Sequence, residues 1–209
     1  MNQRERLIQL SIFYNGNWSK IAKGIATNEI VPHLPLKSPC ITIYDAVYPD
    51  CLKRLRYPPW VLYYQGDISL LEKKCMTIVG SRELTDYGKR VTEVASSILS
   101  RKYVIVSGLA KGADATAHRT EYPYDTGIQK HHFAWRNRIL AALGEACIVT
   151  SAKVRSGTML TVNEAINLSK DVWCFPYPFE SEEGKGCNKL VQEGAFLLYD
   201  TKQLFDFVS

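Results

Sequence analysis

The sequence predicts an α/β protein. A Rossmann-like, doubly wound and mostly parallel sheet is expected over residues 40–209, preceded by a small helical appendage and linker over 1–39. From Cys40 onward, short apolar runs alternate with amphipathic segments, the pattern of strands feeding crossover helices. Small-residue turns separate these segments, at Gly80-Ser81, Ser107-Gly108 and Ser156-Gly157. The stretch Val31 to Pro39 is rich in proline and divides two textures of chain.

The elements follow in order. Leu7, Ile8, Leu10, Ile12 and Phe13 recur at helical spacing, and Asn15-Gly-Asn17 breaks the pattern. Trp18, Ile21, Ala22 and Ile25 predict a second, short helix. This front part is too short for a firm core of its own. Ile41 to Tyr44 predicts a strand, Tyr48-Pro49 opens a helix through Leu52 and Leu55, and Pro58-Pro59 stops it. Trp60 to Tyr64 is a further strand, ended by Gly66-Asp67. Next come a strand at 76–80, a helix at 87–100, a strand at 103–107, a turn at 108–112 and a helix at 113–119. The later half predicts a helix at 137–143, a strand at 146–150, a helix at 161–168, a strand at 172–175 and a short helix at 188–192.

One junction breaks the alternation. The helix ending at Arg119 runs at once into Thr120-Glu-Tyr-Pro-Tyr124, with no apolar strand to receive the crossover. A parallel crossover takes about a dozen residues or more. Either the sheet is unusually small or a segment is missing at this point.

Composition narrows the class. The 209 residues allow one large domain, or one domain with a small appendage. No apolar run approaches the ~20 residues that span a bilayer. The start, Met1 to Arg6, is charged and lacks the apolar core of a signal peptide, so a cytoplasmic protein that contacts no membrane is expected. The six cysteines are scattered without a Cys-x-x-Cys pair, which speaks against a zinc site or disulfide framework; Cys147 and Cys174 read as inert core thiols. No metal and no cofactor are expected. The net charge of +5 says little, but Lys130, Arg136, Arg138, Lys153 and Arg155 cluster with His131, His132, Phe133 and Trp135. Basic side chains interleaved with rings suit a single-stranded nucleic acid, because cations follow the backbone while rings stack on bases. A solvated basic face over buried rings fits the same pattern.

In a doubly wound sheet, ligands bind at the carboxyl ends of the strands. There Gly80, Ser81 and Arg82 form a turn before a helix, where backbone N–H groups, the helix dipole and a guanidinium together suit a phosphate. Ser107, Gly108, Lys111 and Gly112 form the second turn; Lys111 either reaches a phosphate or is an exposed loop lysine. Asp114 reads as a helix cap and His118 as a structural histidine. Lys130 and Phe133 can clamp one nucleotide, the ring on the base and the ammonium on its phosphate. Of Arg136 and Arg138, one is expected to face the groove and the other to pack inward, with Asn137 capping the helix that begins there. Lys153, Ser156 and Gly157 make the third turn.

These motifs together resemble the DNA-processing protein A (DprA/Smf) family over roughly residues 41–199. Gly80-Ser-Arg-Glu-Leu-Thr-Asp-Tyr-Gly88 is similar to its G-S-R-x-x-S/T-x-x-G turn, and Ser107-Gly-Leu-Ala-Lys-Gly-Ala-Asp-Ala-Thr-Ala-His118 to its second turn. Phe133-Ala-Trp-Arg-Asn-Arg-Ile139 is similar to its F-P-x-R-N-R-I block. Lys153 to Thr161 resembles its S-G-S/T turn, Gly186 to Ala195 its G-x-N-x-L ending, and Tyr48-Pro-Asp-Cys-Leu52 its Y-P-x-x-L entry. The resemblance implies a Rossmann-like fold that binds single-stranded DNA, helps load the RecA recombinase in natural transformation, works as a homodimer and catalyses no reaction. It implies that the apolar patch including Val191 and Leu197 is part of the dimer face. Family members carry about one more strand–helix–strand unit where this chain joins Arg119 to Thr120, so that is where the missing segment is expected.

A different reading is a nucleotide-binding or hydrolysing enzyme of the phosphoribohydrolase group, whose Gly-Gly-x-Gly-Thr-x-x-Glu loop is approached by Ser156-Gly-Thr158. The paired glycines are absent, and Glu164 stands six residues past Thr158 rather than three.

Overall fold

The computed structural model describes residues 2–81, 84–108, 121–123 and 130–209, without the side chains of 130, 131 and 134. Contacts divide the chain into two compact units: Met1–Glu72 with Asp114–Lys130, and Lys73–Ala113 with His131–Ser209.

The first unit pairs two helices with a hairpin. Helix α1 (Gln3–Phe13) starts at a capping box between Asn2 and Glu5, and α2 (Trp18–Ala26) at the Asn17 side chain, which accepts from the Lys20 N–H. The break between them is a left-handed pair, Asn15 and Gly16 at φ 48° and 72°. Strands β1 (Cys40–Thr42) and β2 (Val61–Tyr63) run antiparallel with Cys40 opposite Tyr63, and the short helix α3 (Asp50–Lys53) lies between them in sequence. Leu7, Ile8, Leu10, Ile21 and Val31 close over Cys40, Val61 and Tyr63 in one core.

The boundary expected at residue 39 therefore falls inside this unit, because the hairpin supplies the half of the core that two short helices cannot bury alone. The proline-rich stretch is not a free linker. Val31 is buried, and Gln9 grips the Leu34 backbone, its Nε2 donating to the carbonyl at 3.2 Å and its Oε1 accepting from the N–H at 2.6 Å.

The second unit is the expected α/β layer structure. Strands β3 (Cys75–Val79), β4 (Val104–Ser107), β5 (Cys147–Val149), β6 (Val172–Cys174) and β7 (Phe196–Leu197) form a parallel sheet in the order β4-β3-β5-β6-β7. Helices α4 (Asp86–Leu99), α5 (Lys130–Leu143), α6 (Gly157–Asn167), α7 (Lys185–Gln192) and α8 (Thr201–Asp206) accompany it. β3 and β5 are buried along their whole length, as strands covered on both faces must be. Met76, Ile78, Ile148 and Val149 meet Val91, Ala95 and Leu99 of α4 and Val162 and Ala165 of α6 in the larger core. Cys147 and Cys174 sit within it, and burial pushes the Cys147 thiol up to about 12.

Chain order reverses direction at β3, since β4 lies on one side and β5 on the other. A crevice outside the carboxyl ends of β3 and β5 is the ligand position this topology favours. Helix α5 begins a full two turns before Asn137, and β7 and α8 follow the last predicted helix.

Candidate nucleic-acid interface

β3 delivers Gly80 and Ser81, β4 delivers Gly108, and β5 delivers Thr150 and Ser151, all at the same end of the parallel sheet. The first turn differs from its expected form. Helix α4 starts only at Asp86, capped by Thr85, whose hydroxyl accepts from the Gly88 N–H at 3.1 Å. The Ser81 N–H donates to Ser151 Oγ at 2.8 Å, and the Gly80 carbonyl accepts from Thr158 Oγ1 at 3.0 Å. Gly80 is required because a Cβ there would stand 2.6 Å from Thr150 Oγ1. Gly80 and Ser81 are thus tied to α6 and β5 by their own backbone groups. Arg82, Lys111, Gly112, Asp114 and His118, with the helix expected over 113–119, lie outside the described residues.

The better anion site is the third turn. Helix α6 starts directly at Gly157, and its N-cap Ser156 makes no side-chain capping bond. A Cβ on Gly157 would meet nothing within 4 Å among the described residues. An uncapped N-terminus concentrates N–H donors and the positive end of the helix dipole. Lys153 and Arg155 are exposed beside it in sequence, Lys153 with its ammonium 3.5 Å from Glu183. That pair is solvated and weak, so the lysine can exchange its partner for a phosphate at little cost.

Helix α5 places three of the predicted site residues inside, so neither arginine faces a groove. Arg136, Asn137 and Arg138 are 7%, 8% and 5% exposed. Arg136 Nη2 donates to the Gly108 carbonyl at 2.7 Å and its guanidinium lies 5.5 Å from the centre of the Phe133 ring. Arg138 Nη1 donates to the Trp135 carbonyl, with its guanidinium 4.3 Å from that indole. Both side chains are buried, each with one donor on a protein carbonyl. Asn137 is mid-helix and caps nothing. Lys130 and Phe133 do lie one helical turn apart on α5, and Phe133 is half-buried.

Other residues hold the third turn in place. Tyr177 donates its hydroxyl to the Thr150 carbonyl at 2.6 Å, and burial raises its phenol pKa. Asn188 grips the Tyr177 backbone from both sides. Gly186 approaches the backbone so closely that a Cβ would sit 2.5 Å from the Ala152 carbonyl oxygen, and its N–H donates to that oxygen at 2.7 Å. Leu190 is buried one turn on. Gly186, Asn188 and Leu190 are the G-x-N-x-L ending noted in the sequence, while Tyr177 carried no signal there. Of the residues expected on the dimer face, Val191 is half-buried and Leu197 is exposed beside Phe196, whose ring stacks on Trp173 at 4.5 Å.

Among the described residues no helix is long and apolar enough to cross a membrane. The family model of DNA recombination-mediator protein A matches residues 39–120 and 119–209. The chain belongs to that family. It is 31% identical to DNA processing protein DprA of Bacillus subtilis, across 79% of this chain and 70% of that one. It is 33% identical to DprA of Streptococcus pneumoniae, across 78% and 71%. The crystal structure of the S. pneumoniae protein superposes with a TM-score of 0.78 at 24% identity, covering 96% of this chain and 95% of that one. The Helicobacter pylori protein, described for its single-stranded DNA binding mode, superposes at 0.68 with 22% identity, covering 84% and 98%. These structures establish the shared α/β fold.

Against this recombination-mediator family, the junction at residues 119–120 is where the two matched stretches meet. The alignment with the B. subtilis relative spans 207 positions but only 79% of a 209-residue chain, so about 40 of its positions are gaps here. The break in strand–helix alternation noted in the sequence falls at the same place.

Proposed function

We propose that this chain binds single-stranded DNA across the carboxyl ends of β3, β4 and β5, and loads a RecA-type recombinase onto that strand during recombination of incoming DNA. In this reading it catalyses no reaction, acts in the cytoplasm, and works as a homodimer through a face that includes Val191 and Leu197. The observation that carries the reading is the uncapped N-terminus of α6 at Gly157, at the topological switch point and flanked in sequence by Lys153 and Arg155. Membership of the recombination-mediator family and the DNA binding described for the H. pylori relative support it. Phosphate captured by backbone donors carries no base information, so binding is insensitive to sequence and strongly salt-dependent.

The test is a filter-binding titration with oligo-dT at two salt concentrations, comparing the wild type with Arg82→Ala and with Lys153→Ala/Arg155→Ala. Weaker binding with a shallower salt slope is expected in both. Wild-type affinity in both removes these turns from the interface. Faster RecA assembly on strands precoated with a single-strand-binding protein tests the loading step. A mononucleotide phosphate would also suit the α6 N-terminus, so release of free base from nucleoside monophosphates would favour the hydrolase instead. Glu164 stands six residues beyond Thr158 on α6, which turns it away from the face that Thr158 presents.

A further inference from the structure

The first unit carries a ladder of rings that the interface above does not use. Trp60 packs against the small core and donates its indole N–H to the Trp18 carbonyl at 3.2 Å. Trp18 stacks on Trp60 with ring centres 5.3 Å apart and planes 25° from parallel, and donates its own N–H to the Pro58 carbonyl at 2.7 Å. Tyr57 stands edge-on to Trp18 at 5.1 Å, and the Arg56 guanidinium lies 5.3 Å from the Tyr57 ring centre. All of these rings are half-buried, while Lys53, Arg54 and Arg56 are exposed.

Two features set this ladder apart from core packing. Both indole N–H groups donate to protein carbonyls, which fixes the orientation of these half-exposed rings. The ladder also ends in cations rather than in apolar side chains. Lys53 pairs with Asp50 at 2.8 Å, and the same exposed carboxylate also feels the Arg54 charge. Fixed rings bordered by guanidinium groups match a stacked base followed by phosphates. A proline-rich peptide would use the rings but gain nothing from the positive border.

We propose that Trp18 and Tyr57 form a second single-strand contact, with a nucleobase stacked against the rings and Arg56 and Arg54 on the adjoining phosphates. The inference rests on the reading that the chain binds single-stranded DNA. Its test keeps the two apart. The full chain is bound to oligo-dT carrying 5-iododeoxyuridine, irradiated, and the crosslinked residues are mapped by mass spectrometry. Affinity is measured in parallel for Tyr57→Ala and for Arg54→Ala/Arg56→Ala, the latter pair exposed and so removable without disturbing the core.

Crosslinks at Trp18 or Tyr57 are expected. Tyr57→Ala should bind roughly tenfold more weakly, the loss of about one stacked base. The double arginine variant should lower the salt slope by about 1.4, two single-strand phosphates at about 0.7 each. Crosslinks confined to α5, with the arginine variant binding as the wild type does, would overturn the second contact and leave the DNA-binding reading intact. So would a proline-rich peptide held by these rings with DNA affinity unchanged by the variants. A wild type that binds no oligo-dT overturns both.

Discussion

Asn188 closes a two-way clasp on Tyr177: its Oδ1 accepts from the Tyr177 N–H at 3.1 Å and its Nδ2 donates to the Tyr177 carbonyl at 2.9 Å. Tyr177 in turn donates to the Thr150 carbonyl at 2.6 Å, so α7 is joined to the end of β5 through one ring. Replacing Asn188 by Ala strands two partly buried backbone groups and should cost about 2 kcal/mol, at the usual rate of about 1 kcal/mol per lost bond. A melting temperature several degrees below the wild type checks this. Asn188→Asp keeps the acceptor, loses the donor, and should fall between the two.

Two glycines should respond in opposite ways to the same substitution. Gly186→Ala places a Cβ 2.5 Å from the Ala152 carbonyl oxygen and 2.9 Å from that of Lys153, both backbone atoms that cannot swing aside. Its cost is about 1–3 kcal/mol, the range for overpacking. Gly157→Ala meets nothing within 4 Å and gains helix propensity, so its melting temperature should equal or slightly exceed the wild type. Thermal denaturation of the pair, side by side, decides it.

Gly157→Asp separates stability from binding. A carboxylate in the first turn of α6 interacts favourably with the helix dipole, worth about 0.3–1 kcal/mol. The same charge occupies the proposed phosphate position. Thermal stability should hold while oligo-dT affinity drops by roughly fivefold or more, the loss of about one phosphate contact. Undiminished affinity would remove the α6 N-terminus from the interface.

The first unit should be acid-sensitive through Asp45. Burial acts to raise its carboxyl pKa, but the Arg4 guanidinium at 2.8 Å and the Thr42 N–H at 2.8 Å outweigh that and hold it below the ordinary range. A folded-state value below the unfolded one contributes stability above about pH 4, the unfolded value, and loses it as pH falls through the folded value. The contribution is modest, because the Arg4 side chain is 43% exposed. Melting temperatures recorded between about pH 6 and pH 2.5 should fall less steeply in Asp45→Asn than in the wild type.

Sequence period and turn chemistry alone determined most of the architecture. The apolar runs at 75–79, 104–107, 147–149 and 172–174 became parallel strands because each is short, apolar on both faces and followed by small residues. The motifs from Gly80 to Ala195 were enough to assign the family. The break in alternation after Arg119 was visible too, and it coincides with the point where the two family-matched stretches meet.

Other matters only tertiary contact could decide. Arg136 and Arg138 look the same in sequence as exposed DNA-binding arginines, yet carbonyls of Gly108 and Trp135 claim them. The Gly80-Ser81 turn looks like an open anion nest until Ser151 and Thr158, 70 and 78 residues away, take up its backbone groups. The front helices look like an appendage until a hairpin some 50 residues downstream, at Tyr63 and Ser11, completes their core. Except for Arg138, whose acceptor is three residues back on its own helix, the partner is distant along the chain, and no local pattern records which donor meets which acceptor. The sequence therefore marked the turns, and the folded chain decided that, among the described residues, Gly80 and Ser81 are engaged by β5 and α6 while the N-terminus of α6 at Gly157 is not capped by a side chain.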